Sequence, residues 1–122
     1  MALPRSPRDN DSHDEIDERI SREMSQLLAR ESGRGPVHTR THHNEEFALV
    51  ILEGVLSRAE QTLLAGGSVE AVRSIRRALH DAIRPDLIAV VEAATGQSVM
   101  SSLSELDNQT GTAVEVFLFH RP

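Results

Sequence analysis

Hydrophobic and polar positions alternate along this chain in two periods, which divide it into helices and strands. Over Ile16–Leu28, apolar residues recur at steps of three and four, which predicts an amphipathic helix that ends near Gly33. Pro36 then opens an extended stretch over 37–42, and the apolar run Phe47–Leu52 follows it. These two segments predict a pair of strands joined as a β-hairpin.

Two helices are predicted after this hairpin. Ser57 and Glu60 form a capping box, the paired signal of a helix N-terminus, and Gly66 ends this short helix. A longer helix begins after Ser68. Its predicted apolar stripe comprises Val72, Ile75, Leu79, Ile83, Leu87 and either Val90 or Val91. Because proline lacks an amide hydrogen, we expect Pro85 to kink this helix or to split it in two.

Alternation with period two returns over 99–104 and 114–118, which predicts a second hairpin with its loop around Gly111. The predicted order of elements is therefore αββααββ. Hairpins joined by helices, without regular βαβ alternation, indicate an α+β fold of two layers. We expect a four-stranded, mainly antiparallel sheet with three helices, formed by residues 15–122 as a single domain. Residues 1–14 are polar and poor in large apolar residues, and they are predicted to be a disordered acidic tail.

Composition narrows the classes of function. The chain has 19 acidic and 13 basic residues among 122, so it lacks the positive charge that binding to nucleic acid requires. It contains no cysteine, which excludes thiolate nucleophiles and thiolate metal sites. Its longest apolar run, Phe47–Leu52, is far shorter than the about 20 residues of a membrane-spanning helix. We expect a cytoplasmic protein that does not insert into a membrane.

The loop Gly33-Arg34-Gly35-Pro36 has two interpretations. The flexible backbone amides of this loop, including that of Gly35, and the Arg34 guanidinium could together bind an anion. The simpler interpretation is a helix end and a turn, in which glycine supplies a positive φ.

His38 and His42 are candidate metal ligands, because alternation along a strand places both on one face of the sheet and turns His43 away. A closed zinc site requires about four ligands, however, and exposed histidines at a hairpin are the simpler interpretation.

Arginines make the long helix locally basic. Arg73, Arg76 and Arg77 could bind an acidic partner or a phosphorylated ligand. The alternative is a solvated helix face with local ion pairs such as Glu70 with Arg73 and Arg77 with Asp81. No carboxylates are paired at a spacing suited to acid–base catalysis, and Ser57 lies in no nucleophile motif, so no catalytic residues are predicted.

Several segments together resemble the MpsC-like family, whose name refers to a Na+-translocating membrane-potential-generating system. The resemblance extends over 15–120. Its residues are the loop 33–36, the segment 54–60 with Leu63, then Val72, Arg76, Pro85, Thr95, Gly96, Asp107, Val116 and Phe117. This resemblance implies a small bacterial protein associated with a membrane system that transports cations or inorganic carbon, and it implies no catalytic residues.

The leading hypothesis is a non-catalytic accessory or regulatory protein that acts by binding. A small aliphatic core and two hairpins that expose a sheet edge or face favour a homodimer, with a membrane-transport complex as a further partner. The first alternative is a small-molecule or anion sensor that uses Arg34, Gly35, Arg73, Arg76 and Arg77. The second is a metalloenzyme that uses the histidines. No cofactor is predicted for the leading hypothesis.

Overall fold

Helices and antiparallel hairpins follow one another along the chain. The computed structural model of the protein describes residues 7–121, with side chains described from residue 12 onward. The elements are α1 (Pro7–Ser32), β1 (His38–His43), β2 (Phe47–Glu53), α2 (Arg58–Ala65), α3 (Val69–Thr95), β3 (Val99–Asp107) and β4 (Thr112–Phe119). The predicted order αββααββ and the predicted α+β fold are confirmed.

The four strands form one antiparallel sheet in the order β1-β2-β4-β3. Both predicted hairpins are present, and they join through β2 and β4, where Leu49 lies opposite Val116. The two central strands are also the two most apolar ones, whereas β1 and β3 form the edges of the sheet.

One face of the sheet carries the core, and we call it the core face. Burial alternates with period two along β2 and β4, as expected for strands with one covered face. The sheet contributes Ala48, Val50, Leu52, Ala113, Phe117 and Phe119 to the core. Helix α1 contributes Ile20, Met24, Leu27 and Leu28, and α3 contributes Ile83, Leu87 and Val91. Apart from the two phenylalanines, this core is aliphatic, so its stability depends on close aliphatic packing.

Among the side chains that the structure describes, three hydrogen-bonded pairs join helix α1 to the edge strand β1. They are Asp17 with His43 at 2.5 Å, Ser21 with Thr41 at 2.7 Å, and Ser25 with Thr39 at 2.9 Å. Four residues of helix rise about 6 Å, and two residues of strand rise about 6.6 Å. Because these two steps nearly match, side chains at every fourth helix position meet side chains at every second strand position.

Helix α1 begins earlier than the apolar pattern indicates. It starts at Pro7, whereas the predicted helix begins after residue 14. Proline suits a first helical position, because its φ is already helical and the amide hydrogen that it lacks has no partner there. Residues 7–14 of the predicted tail therefore have helical backbone, and the predicted disorder of residues 1–6 lies outside the described residues.

Helix α3 corrects the expected split at Pro85 and one residue of the expected apolar stripe. It runs unbroken through Pro85, whose exposed position directs the ring away from the core. Its buried residues are Val72, Ile83, Leu87 and Val91, whereas Ile75, placed in the predicted stripe, is 49% exposed. Leu79 is only partly buried and packs against the edge of the core. From residue 7 to residue 121, no helix has both the length and the apolar character needed to cross a bilayer.

Candidate functional site

The loop between α1 and β1 requires glycine at two positions, for two different reasons. Gly33 has a φ of 77°, in the left-handed region that ends α1. Gly35 does not have a left-handed φ. A side chain is disfavoured there because neighbouring atoms of α1 lie too close. A Cβ at Gly35 would lie 3.2 Å from the carbonyl oxygen of Ser25 and 3.3 Å from the Cβ of Ala29. The exposed Arg34 donates from Nε to the carbonyl oxygen of Gly54 at 3.3 Å.

The two candidate metal ligands lie on the same face of β1, as predicted, but far apart. His38 and His42 are separated by four strand residues, or about 13 Å of strand, so their side chains cannot share one ion with bonds of about 2 Å. His38 instead contacts Glu53 Oε2 at 3.0 Å through Nδ1. Among the residues with described side chains, no group of three or more His, Cys, Asp or Glu could hold a metal ion.

His43, which is not one of the two predicted metal ligands, points to the other face of the sheet, toward α1. It is 8% exposed, its Nδ1 donates to Asp17 Oδ1, and its ring stacks on that of His13 with centroids 4.5 Å apart. A sequence signal exists for this contact, since Asp17 lies beside the apolar stripe of α1 and the strand period turns His43 inward.

Three predicted ligand residues line one groove between α3 and β3, of about 390 Å³, which we call the polar groove. Its lining comprises Arg73, Arg76, Arg77 and His80 of α3 together with Ser104, Glu105, Leu106 and Asn108. Arg34 does not line this groove, so the structure separates the two halves of the predicted anion site.

Two of the three arginines already have a carboxylate partner. Arg73 contacts the exposed Glu70 at 3.0 Å, as predicted. Arg76 lies 3.5 Å from Glu60, whose side chain is 8% exposed. Arg77 has no ion-pair partner among the described contacts, and the expected pair with Asp81 is not formed. The polar groove therefore presents one unpaired guanidinium.

Glu60 connects the capping box of α2 to α3. Its Oε1 accepts from the backbone amide of Ser57, and its own amide donates to Ser57 Oγ, so the predicted capping box is confirmed. The same Oε1 faces Arg76, whereas the buried Oε2 has no hydrogen-bond partner among the described groups. A carboxylate buried in this way depends on its guanidinium partner.

Beneath the polar groove, β4 contributes a buried carboxylate. Glu115 is 6% exposed and lies in the core face. It accepts from Ser104 Oγ at 2.9 Å and from His80 Nε2 at 3.1 Å. This hydrogen bond raises the pKa of His80 above its usual value, against the opposing effect of partial burial. The geometry suits a proton held between an imidazole and a carboxylate.

The second face of the sheet, which we call the open face, is apolar as well. Its centre consists of Phe47, Leu49, Ile51, Val114, Val116 and Leu118, all partly buried by one another. Leu103 extends this surface onto β3 and is 58% exposed. The core cluster contains none of these seven residues, and the described contacts of α1 and α3 with the sheet lie on the core face.

Comparisons with known proteins give one family and one relative. The family described as "MpsC: Na+-translocating membrane potential-generating system" matches residues 12–121, which extend from α1 to beyond β4. An uncharacterized protein of Bacillus subtilis (strain 168), YbcI, is 29% identical over 105 residues, covering 84% of this chain and 83% of the relative. No solved structure matches the chain.

Proposed function

The chain belongs to the MpsC family, and from this premise we propose that it is a non-catalytic accessory protein of a membrane cation or inorganic-carbon transport system. It acts in the cytoplasm by binding, and it forms a homodimer. The family match confirms the resemblance found in the sequence, and the family's description supplies the link to a membrane system.

The observation that supports a binding role is the apolar open face. Antiparallel sheets with helices on one face commonly present polar residues on the other. Here both central strands carry mainly apolar side chains on both faces, and a contiguous apolar surface that stays partly exposed is typical of a protein–protein interface. Burying this surface against another protein removes it from water and stabilises the bound state.

Affinity capture from cells of the native host tests the accessory role. The protein is used as bait after gentle solubilisation of the membrane, and captured proteins are identified by mass spectrometry. We expect enrichment of a subunit of a cation or inorganic-carbon transporter over a capture with an unrelated acidic protein. Capture without any such subunit would contradict the link to transport.

A second candidate function is an anion-binding sensor, and the polar groove favours it. The groove brings together three of the predicted ligand residues, and Arg77 is free of a carboxylate partner there. A guanidinium of this kind binds phosphate or carboxylate oxygens through charge-assisted hydrogen bonds.

Thermal unfolding with bicarbonate, inorganic phosphate and nucleotides tests the sensor. A ligand that binds only the folded state raises the unfolding temperature with concentration. Arg77→Ala should abolish the increase, and Arg34→Ala, outside the groove, should retain it. No increase with any of these anions would contradict the sensor.

A further inference from the structure

The open face has a basic edge and an acidic edge. Along β1, the side chains that share this face are His38, Arg40 and His42, because Thr39, Thr41 and His43 contact α1 on the other side. Along β3, the open face carries Leu103, Glu105 and Asp107, because Ser102 and Ser104 contact Arg84 and Glu115 on the core side. Apolar residues of β2 and β4 separate the two edges over most of the face, and Glu53 of β2 lies beside His38 and Arg40 at the basic edge.

The strand register aligns these charges in one row. Arg40 lies opposite Ile51, Ile51 opposite Val114, and Val114 opposite Glu105. The row therefore runs from a positive end to a negative end across two aliphatic side chains. The neighbouring row is composed of His42, Leu49, Val116 and Leu103.

Both charged ends of the first row are available for a contact outside the chain. Arg40 is half exposed, and its contact with Glu53 is 3.8 Å long. Glu105 is exposed and has no ion-pair partner among the described contacts.

We propose that the open face is the interface of the homodimer, in which two sheets stack face to face about a twofold axis parallel to the strands. This inference rests on the proposed function and assigns the surface and the symmetry of the dimer. A twofold rotation about that axis places β1 of one copy over β3 of the other. Each row of side chains on one copy then lies over the same row of the second copy, in reverse order. Arg40 then lies against Glu105 of the second copy, and Ile51 against the second copy's Val114.

The charges favour this axis over the other twofold axis that would stack the sheets face to face, which is perpendicular to the strands. A twofold axis perpendicular to the strands places β1 on β1 and β3 on β3, so that Arg40 lies near the second copy's Arg40 and the acidic pair Glu105 and Asp107 lies near its own copy. Like charges brought together at an interface oppose association. The parallel axis instead produces two Arg40–Glu105 contacts around an apolar centre, in the geometry of aligned sheets stacked about 10 Å apart.

Sedimentation velocity over a range of protein concentrations tests the proposal, and circular dichroism verifies that each variant is folded. Leu103→Glu places a charge on the open face, and Ile75→Glu places the same charge at a similarly exposed site on α3. Arg40→Glu and Glu105→Arg each reverse one end of the charged row, and the double variant restores opposite charges. Arg77→Glu is the control for charge reversal away from the open face.

We expect wild type, Ile75→Glu and Arg77→Glu to be dimers and Leu103→Glu to be a monomer. Each single reversal at Arg40 or Glu105 should raise the dimer Kd by at least about tenfold, because each change is repeated in both symmetric contacts. The double variant should return to within about threefold of the wild-type Kd.

Three results would overturn the proposal. They distinguish among the homodimer itself, the surface assigned to it and its symmetry. A dimer that tolerates Leu103→Glu uses another surface, so the proposed homodimer remains but the assigned interface is wrong. If Leu103→Glu abolishes the dimer but the double charge reversal binds no better than the single reversals, the open face is the interface and the proposed symmetry is excluded. A monomeric wild type whose capture of a transport subunit depends on Leu103 assigns the open face to that subunit.

Discussion

The imidazole of His80 lies against both carboxylate oxygens of Glu115, with Nε2 at 3.0 Å from Oε1 and 3.1 Å from Oε2. The two residues are 35 positions apart in sequence, and they meet because α3 crosses the core face above β4. This contact joins the helical layer to a central strand through a titratable pair.

The stability that His80 contributes should decrease as pH rises. Its folded-state pKa is raised above 6.5, chiefly by the hydrogen bond to Glu115. A raised pKa contributes stability that is fully present below the unfolded-state value and is lost as pH rises through the folded-state value. The difference in unfolding temperature between wild type and His80→Gln should therefore be larger at about pH 5.5 than at about pH 8.5.

The exposed His120 provides the control for this pH dependence. His120→Gln should change the unfolding temperature by a similar small amount at both pH values. Differences for His80→Gln that are equal at the two pH values would contradict the role of the His80–Glu115 pair.

Arg76→Ala should destabilise the protein far more than Arg73→Ala, although both replace an arginine of α3 that faces a glutamate. Removing Arg76 leaves the buried Glu60 carboxylate without its guanidinium, at a cost of about 3–5 kcal/mol. Arg73 and Glu70 are both exposed, and such a pair contributes less than about 1 kcal/mol. Urea denaturation of the two variants measures both losses in the free energy of unfolding. If the two costs were equal, Glu60 would not depend on Arg76.

Ile83→Ala and Ile75→Ala form a matched pair that tests the orientation of α3. Ile83 is 4% exposed, so its truncation should cost about 2–5 kcal/mol by leaving a cavity. Ile75 is 49% exposed, and its truncation should cost less than about 1 kcal/mol. Chemical denaturation of both variants measures the difference, and a larger cost at Ile75 would mean that the helix is rotated from the orientation described.

In the loop after α1, the stability of the protein should depend more on Gly33 than on Arg34. Gly33→Ala should cost about 1 kcal/mol or more, because alanine strains at a left-handed φ. Arg34→Ala should cost well under 1 kcal/mol, since the hydrogen bond that it removes is long and exposed. Thermal unfolding of the two variants measures both costs, and a greater loss in Arg34→Ala would indicate that the guanidinium organises the loop.

Local signals in the sequence predicted much of the fold. The capping box at Ser57 and Glu60 depends on residues three apart, and the hairpins follow from alternation within short segments. The helix extension to Pro7 has no apolar signal in the sequence, because residues 7–14 contain no large apolar side chain. The exposure of Ile75 follows from how α3 lies on the sheet, which its own periodicity does not determine.

The candidate sites were less predictable, because they depend on strand order. Only the pairing of β2 with β4 places Glu115 in the centre of the core face, within reach of His80. The sequence does contain a signal for the open face. The unbroken apolar run Phe47–Leu52 is typical of a strand with apolar residues on both faces. The structure does not bring the predicted histidine pair together, because the spacing that places two residues on one strand face also separates them.

The order of the strands has a consequence for synthesis on the ribosome. Strand β4 is made after all the other elements, yet it is the strand that joins the two hairpins into one sheet. Until residues 112–119 leave the exit tunnel, β2 has an unpaired inner edge and β3 has no partner. Such edges bind other exposed strands, so the nascent chain is at its most aggregation-prone just before β4 emerges.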